Sequence, residues 1–336
     1  MVLFNENNRI AFPRYGIQIP SLPTRAIKTV EALKAHPLLG PRSAEWLIEK
    51  IPNTIGKEDL LRAHTTEYIS DLYSDKLEER LLAAYELIDE EGNFNRYDPD
   101  SAEAPLVDLL EDVTRIISGT YRNIQLALDS GFNYFLGGGM HHAHPAFGHG
   151  FCLVNDICTA LLKARAEGLI HTAWIIDVDA HRGDGTAEIL AQTGEITTIS
   201  IHMAKGWPLD KPQKQADGSL NPGWFPGDVD LGIESGEEAD YTPRLMEALN
   251  DLEAKQGLPD LFFIVAGVDP FEGDELASTD PINLSRDQMF ERDRRLYQFC
   301  QEKNRPSAWV AAGGYGQYSW EIHARFLEWV LQERLG

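Results

Sequence analysis

The sequence predicts an α/β three-layer sandwich with a doubly wound, mainly parallel central sheet, and three observations predict it. Short apolar runs of strand length alternate with longer segments of helical periodicity. The apolar runs are continuous rather than alternating, as expected of strands covered by helices on both faces. They also end in glycine or a titratable residue, and open α/β sheets bind ligands at the carboxyl ends of their strands.

Taken in chain order, residues 108–129 carry a helical apolar pattern at Leu109, Val113, Ile116, Ile117, Tyr121, Ile124 and Leu128. A strand is predicted at 134–136, a helix at 156–167, and strands at 173–176 and 196–201. A helix at 241–256, a strand at 261–266, a helix at 287–303, a strand at 308–311 and a helix at 320–334 complete the series. The stretches 90–105 and 203–235, rich in Gly, Pro, Asn and Asp, read as long loops. No internal repeat or low-complexity linker divides the chain, so a single domain over residues 1–336 is expected.

Composition bounds the function. A hydrophobic content of 43% in 336 residues supports a sizeable core. The net charge of −23 repels phosphates and excludes general nucleic-acid binding. It favours cationic partners such as lysine-bearing peptides or polyamines, although a solubilising surface explains it equally well. Cys152, Cys158 and Cys300 are too few for a disulfide framework and fit a reducing compartment. The opening MVLFNENNRIAF lacks the pattern of a signal peptide, and no apolar stretch approaches the ~20 residues that span a bilayer. A cytoplasmic protein with no membrane partner is expected.

The strand ends carry the chemistry. The strand at 134 runs into Gly137-Gly138-Gly139-Met140-His141-His142, and the strand at 173 into Asp177-Val178-Asp179-Ala180-His181, with Asp184 beyond. Period-two alternation places Asp177, Asp179 and His181 on one face. The strand at 196 delivers Ser200 and His202, the strand at 261 ends in Gly267-Val268-Asp269, and the strand at 308 in Gly313-Gly314-Tyr315. Each piece alone has an ordinary explanation. Asp269 could be a helix N-cap, Tyr315 a packed aromatic, and the glycines a tight turn. No Lys-Ser or Lys-Thr follows the glycine run, which excludes a phosphate-binding P-loop. Clustered buried carboxylates and imidazoles are costly unless a divalent metal uses them, so a metal enzyme is the first hypothesis.

Six stretches together resemble the histone deacetylase and acetoin-utilisation superfamily: GGGMHHA (137–143), GFCLVND (150–156), IIDVDAHRGDGT (175–186), GWFPG (223–227), AGVDPFEGDEL (266–276) and AAGGYGQY (311–318). The likeness is greatest to its class IV branch and bacterial relatives. It implies the arginase-deacetylase fold and hydrolysis of acyl groups, acetyl or longer, from N-ε-acyl-lysine. Asp179, His181 and Asp269 would bind one Zn²⁺ or Fe²⁺. His142 would serve as general base and then acid, with His141 beside it. Asp177 and Asp184 would orient these imidazoles, and Tyr315 would stabilise the oxyanion. Asp177 and Ser200 would hold a structural K⁺. Phe151 and Phe225 would wall a narrow tunnel, with Gly150 and Leu276 among the substrate contacts. The partner would be an acyl-lysine protein or peptide, or an acylated polyamine.

Two departures qualify the likeness. Arg182 replaces the residue commonly found after the ligand histidine, with a nearby Asp or Glu as its expected partner. Leu276 stands where acetylpolyamine-specific relatives carry glutamate, which weakens that alternative without removing it, since Glu272 and Glu275 lie close in sequence. A binuclear ureohydrolase needs further carboxylates where this chain has Gly183 and Gly267. A non-catalytic acyl-lysine-binding relative would be expected to have lost a ligand or the tyrosine, and this chain has lost neither.

Overall fold

The computed structural model describes every residue from 1 to 336 except Pro23 and Glu90. Eight strands occur among them: β1 (Val2–Leu3), β2 (Leu47–Ile48), β3 (Phe132–Phe135), β4 (Ala173–Asp177), β5 (Ile196–Met203), β6 (Val229–Ile233), β7 (Leu261–Ala266) and β8 (Ser307–Ala311). They form one sheet in the order β2-β1-β3-β8-β7-β4-β5-β6, and every pairing is parallel.

Alternation along each central strand divides the interior into two cores. In β7, Leu261, Phe263 and Val265 face one cluster, which also takes Leu109, Val113, Ile117 and Ile124 from the helix Leu109–Ser130. Phe262, Ile264 and Ala266 face the other, with residues of the helices Tyr241–Gln256, Arg286–Glu302 and Ser319–Leu335. Both faces of a strand are therefore apolar, which is why these strands read as unbroken hydrophobic runs. Each fully buried large side chain contributes roughly 1.5–3 kcal/mol of transfer free energy. The result is the three-layer arrangement that the alternation of elements predicts.

The longer helices fall where periodicity places them, and local chemistry sets their ends. Asn155 Oδ1 accepts from the Cys158 amide at 2.9 Å and caps the helix Asp156–Ala166. Gly131, with φ of 80°, closes the helix Leu109–Ser130. Three strands carry no apolar signature in the sequence. β1 and β2 are two residues long, and β6 lies inside the stretch 203–235 that reads as loop. All three sit at or near the sheet edges, and β6 is only partly buried, so it lacks the apolar run of a central strand. Of the 90–105 segment, residue 90 lies outside the described residues. The remainder holds one 3₁₀ turn at Pro99–Ser101. Cys152, Cys158 and Cys300 are free thiols and buried. Among the described residues, no helix is long and apolar enough to cross a membrane.

The strand order places the site. From β4 the chain runs outward through β5 and β6, then returns to build β7 and β8 on the opposite side of β4. The order reverses between β4 and β7, and the crevice beyond their carboxyl ends is where such sheets bind ligands.

Candidate functional site

Asp179 and His181 follow β4, and Asp269 follows β7, the strand hydrogen-bonded to it. β4 ends at Asp177, so Asp179 and His181 stand in the loop beyond and owe their placement to turn geometry rather than strand alternation. One ligand atom from each of Asp179, His181 and Asp269 lies within 4.8 Å of the others, and all three residues are buried. His181 Nδ1 is 3.2 Å from Asp179 Oδ1 and 3.1 Å from Asp269 Oδ2. Its Nε2–H can donate to Ser278 Oγ at 3.0 Å, and without a metal Nδ1 faces both carboxylates: burial opposes charge on the imidazole, but hydrogen bonds to Asp179 and Asp269 outweigh it and raise the group to about 10. That pair of carboxylates needs a cation. Burial, and then the like charge of Asp179, push the Asp269 carboxyl up to about 7. Two carboxylates and one imidazole, buried and convergent, fit a divalent metal with an open coordination position.

Close backbone approach shapes this cluster. A Cβ on Gly313 would lie 2.3 Å from Asp269 Oδ2 and 2.5 Å from Asp179 Oδ2, while the Gly313 amide donates to Asp179 Oδ2 at 2.8 Å. Gly313→Ala should therefore displace both carboxylates. We expect metal affinity to fall about 10–100-fold, the equivalent of about 1–3 kcal/mol of overpacking, in a competitive chelator titration. Buried arginines hold the loops from behind. The Arg292 guanidinium donates to the carbonyls of Val178 (3.0 Å) and Gly267 (2.9 Å), and Arg25 donates to those of Ala312 (2.7 Å) and Gly314 (2.9 Å). Asp274 Oδ2 accepts from the Tyr315 amide at 2.7 Å.

The two histidines after β3 lie beside the cluster. Asp156 fixes their turn by accepting from the amides of Gly139 (3.1 Å) and Met140 (2.6 Å). His141 and His142 have ring centroids 3.9 Å apart and separate carboxylate partners. His141 Nδ1 is 2.6 Å from Asp177 Oδ2, and His142 Nδ1 is 2.7 Å from Asp184 Oδ1. Their environments push them apart. Burial, reinforced by the neighbouring His141 charge, lowers His142 to about 3. Burial also opposes charge on His141, but Asp177 and Asp179 outweigh it and raise that group to about 9. The two environments favour a neutral His142 beside a charged His141, the division expected of a base and an electrostatic partner. Burial, then the charges of Asp269 and Asp179, hold the Tyr315 hydroxyl protonated, well above its ordinary pKa.

Asp184 has a second neighbour that the sequence does not single out. His144 Nε2 lies 3.4 Å from Asp184 Oδ2, and His144 Nδ1 lies 2.5 Å from Glu188 Oε2. Burial alone would lower His144, but the adjacent Asp184 and Glu188 carboxylates prevail and raise it to about 9. The stabilisation from such a raised pKa is complete below the unfolded value near 6.5 and is lost as pH climbs through about 9. Glu188→Gln should therefore destabilise the fold most between about pH 5 and 6.5. The difference should shrink towards zero by about pH 10, as read by denaturant unfolding at each pH.

A cavity of about 250 Å³ opens above His142, His181 and Tyr315. Gly150, Phe151 and Leu276 line it, together with Trp207, Ala277, Ser278, Glu86 and Arg96. Phe225 is not among the lining residues. It ends the 3₁₀ turn Pro222–Trp224, and Trp207 supplies the second aromatic wall. The Trp207 ring centroid is 4.5 Å from that of His142 and 5.4 Å from that of His181. A Cβ on Gly150, whose φ is 54°, would lie 2.4 Å from Trp207 Cη2, so this contact requires glycine. A second cavity of about 180 Å³ lies among Gly137–Met140, Arg25 and Ile19 on the inner side of Tyr315.

Ser200 pairs with Asp177 across β4 and β5, and its buried Oγ has no hydrogen-bond partner among the described residues. Both residues line a void of about 10 Å³, room for roughly one water-sized occupant. An orphaned hydroxyl beside a carboxylate suits a small cation. Arg182 is paired with Asp230 on β6, at 3.0 Å from Nε to Oδ1 and 2.5 Å from Nη2 to Oδ2, and donates to the Gly223 carbonyl at 3.0 Å.

Residues 19–331 match the histone deacetylase domain. Similar curated proteins include an uncharacterized protein of Picosynechococcus sp., 35% identical over 202 residues, covering 60% of this chain and 62% of that protein. Histone deacetylase 2 of Arabidopsis thaliana is 27% identical over 278 residues, covering 82% and 66% respectively. Histone deacetylase 8 of Xenopus tropicalis is 24% identical over 281 residues, covering 76% and 66%. The matched region thus spans a little under two thirds of the length of these relatives.

Proposed function

Because the chain belongs to the histone deacetylase family, we propose that residues 1–336 form one catalytic unit, a metal-dependent hydrolase that removes acyl groups from N-ε-acyl-lysine. The observation that carries this reading is the convergence of Asp179, His181 and Asp269 with two His–Asp pairs and Tyr315. Asp179, His181 and Asp269 would hold one Zn²⁺ or Fe²⁺, which when bound supplies an activated water and polarises the acyl carbonyl.

The chain's own groups supply the proton chemistry. His142, neutral and anchored through Nδ1 to Asp184, presents Nε2 to take the proton of the attacking water and later hand it to the leaving amine. His141, held charged by Asp177, favours negative charge developing beside it. The Tyr315 hydroxyl stays protonated and can donate to the oxyanion. Asp177 and Ser200 would hold K⁺ behind the catalytic loop, which would fix the carboxylate that orients His141.

Phe151, Trp207 and Leu276 make the cavity an apolar slot. An acylated, uncharged lysine stem enters such a slot without losing the hydration of a cation. The cavity on the inner side of Tyr315 offers room for acyl groups longer than acetyl. An acetylpolyamine remains a second reading because Glu86 lies at the cavity and could take a distal amine. The test is turnover by metal-loaded protein of acetyl-lysine, longer acyl-lysine substrates and acetylspermidine, side by side. We expect the acyl-lysine substrates to be faster. Faster turnover of acetylspermidine would overturn the choice of substrate.

A further inference from the structure

Resting on the acyl-lysine reading of the cavity, we infer that Glu86 and Arg96 form a recognition pair for the amino-acid end of the substrate. The preferred substrate then carries a free α-carboxylate on the acyl-lysine residue itself.

Four non-glycine residues adopt left-handed backbone among the described residues: Glu86 (φ 56°), Arg96 (φ 53°), Phe151 (φ 62°) and Asn304 (φ 51°). The first three line the same cavity. Side chains larger than glycine enter this conformation only where the surroundings over-determine it, and such positions gather at ligand sites. Here the surroundings are specific. The Glu86 amide donates to Ala83 at 3.2 Å and the Leu87 amide to Leu82 at 2.8 Å, the pair of bonds that ends the helix Leu77–Ala84 in a left-handed residue. The Phe151 amide donates to the Ala84 carbonyl at 3.1 Å and the Gln18 amide to the Arg96 carbonyl at 2.8 Å. Backbone from three separate segments is thereby turned towards one opening.

Glu86 and Arg96 are also the only Asp, Glu, Lys or Arg side chains that line this cavity among the described residues. Arg96 Nη1 is 3.3 Å from Glu86 Oε2, and both side chains remain about 40% exposed (40% and 39%). The Arg96 guanidinium lies over the Phe151 ring, 5.5 Å from its centroid, which holds its plane beside the aromatic wall. Among the described residues the guanidinium makes a single hydrogen bond, to Glu86, and its fork matches a carboxylate. His142, His181 and Tyr315 line the same cavity, and the acylated amine would react beside them. With the acyl amide there, the four methylenes of lysine run along Phe151 and Trp207, and the α-carbon substituents emerge between Glu86 and Arg96. A carboxylate and an ammonium on one carbon complement a guanidinium and a carboxylate 3.3 Å apart.

The test compares Nε-acetyl-lysine with its α-carboxamide, by titration calorimetry and by turnover, on metal-loaded wild type, Arg96→Gln and Glu86→Gln. The wild type should bind the acid about tenfold more tightly than the amide. Arg96→Gln should bring that ratio close to one, and Arg96→Lys should restore part of it. Glu86→Gln, which frees the guanidinium from its partner, should raise it. A peptide ending in acetyl-lysine, set against the same peptide amidated, distinguishes a chain terminus from the free amino acid, and preference for the carboxylate in either format supports the inference. Equal binding of acid and amide by the wild type, or an unchanged ratio in Arg96→Gln with its thermal melt intact, overturns it. Preferential binding of the acid without turnover of any substrate would contradict the deacylase reading alone. Turnover of acid and amide with equal kcat/KM and equal affinity would contradict this inference alone.

Discussion

Tyr315→Phe is expected to lower kcat about 10²–10³-fold while leaving metal content and fold unchanged. The substitution removes one hydroxyl from a half-buried residue that lines the cavity with His142 and His181. Burial and the negative charges of Asp269 and Asp179 keep that hydroxyl protonated, so it is a hydrogen-bond donor at any working pH. A donor already aimed at a site of developing negative charge needs no reorganisation during the reaction. Its removal therefore registers in kcat rather than in KM. His142→Ala should cost at least as much, since it removes an imidazole whose pKa burial lowers to about 3 and whose Nδ1 is braced by Asp184. Steady-state kinetics with metal analysis on the same samples checks both. If both variants stay near the wild-type rate, the assignment of these two groups is wrong.

Asp269→Asn should abolish activity by a different route, through loss of metal, and it should also flatten the pH dependence of the stripped protein's stability. Two facts set the sign. The Asp269 carboxyl is pushed up to about 7 by burial and by Asp179. An acid whose pKa is raised on folding makes the folded state bind more protons than the unfolded one. Without metal, stability must therefore fall as pH rises from about 4 to about 7. Asparagine carries no such charge and avoids that loss. It also withdraws one of the two carboxylates that raise His181 to about 10, so the stability of metal-stripped Asp269→Asn should fall less than that of stripped wild type between about pH 4 and about pH 7. Its affinity for Zn²⁺ should nevertheless drop by at least about 10²-fold, because one of three ligands has lost its charge. Chelator titration and thermal unfolding in the presence of chelator test the two halves separately. A stripped variant whose stability falls as steeply as that of stripped wild type over this range would contradict the charge argument.

Much of this arrangement is legible in the sequence because burial on both faces leaves an unmistakable trace. β4, β7 and β8 read as continuous apolar runs, and the residues just past their carboxyl ends group Asp179, His181, Asp269 and Tyr315 across more than 130 residues of chain. Where the sequence misleads is in the assumption that a strand continues. Period two explains Asp177, the last residue of β4, but not Asp179 or His181, which lie in the loop beyond. β1, β2 and β6 are too short or too exposed to leave an apolar signature. Trp207 lies in a Gly- and Pro-rich stretch where no periodicity points to a partner, whereas Phe225 sits in a motif that draws attention to it. Arg292 and Arg25 belong to helices, where charge reads as solvated surface. Only the fold reveals that their guanidiniums are spent on loop carbonyls beneath the site. Glu86 and Arg96 flank a segment without regular structure, and only their backbone geometry and shared cavity distinguish them from an ordinary surface ion pair.

The most direct test of the single-metal site is a metal titration of activity. Protein stripped with chelator should be inactive on an acetyl-lysine substrate, and activity should rise linearly with added Zn²⁺ or Fe²⁺ to a break at one ion per chain. Asp179→Ala carried through the same titration should show no break and no recovery. Full activity in stripped protein, a break at two ions, or recovery in the Asp179 variant would contradict a single metal held by Asp179, His181 and Asp269.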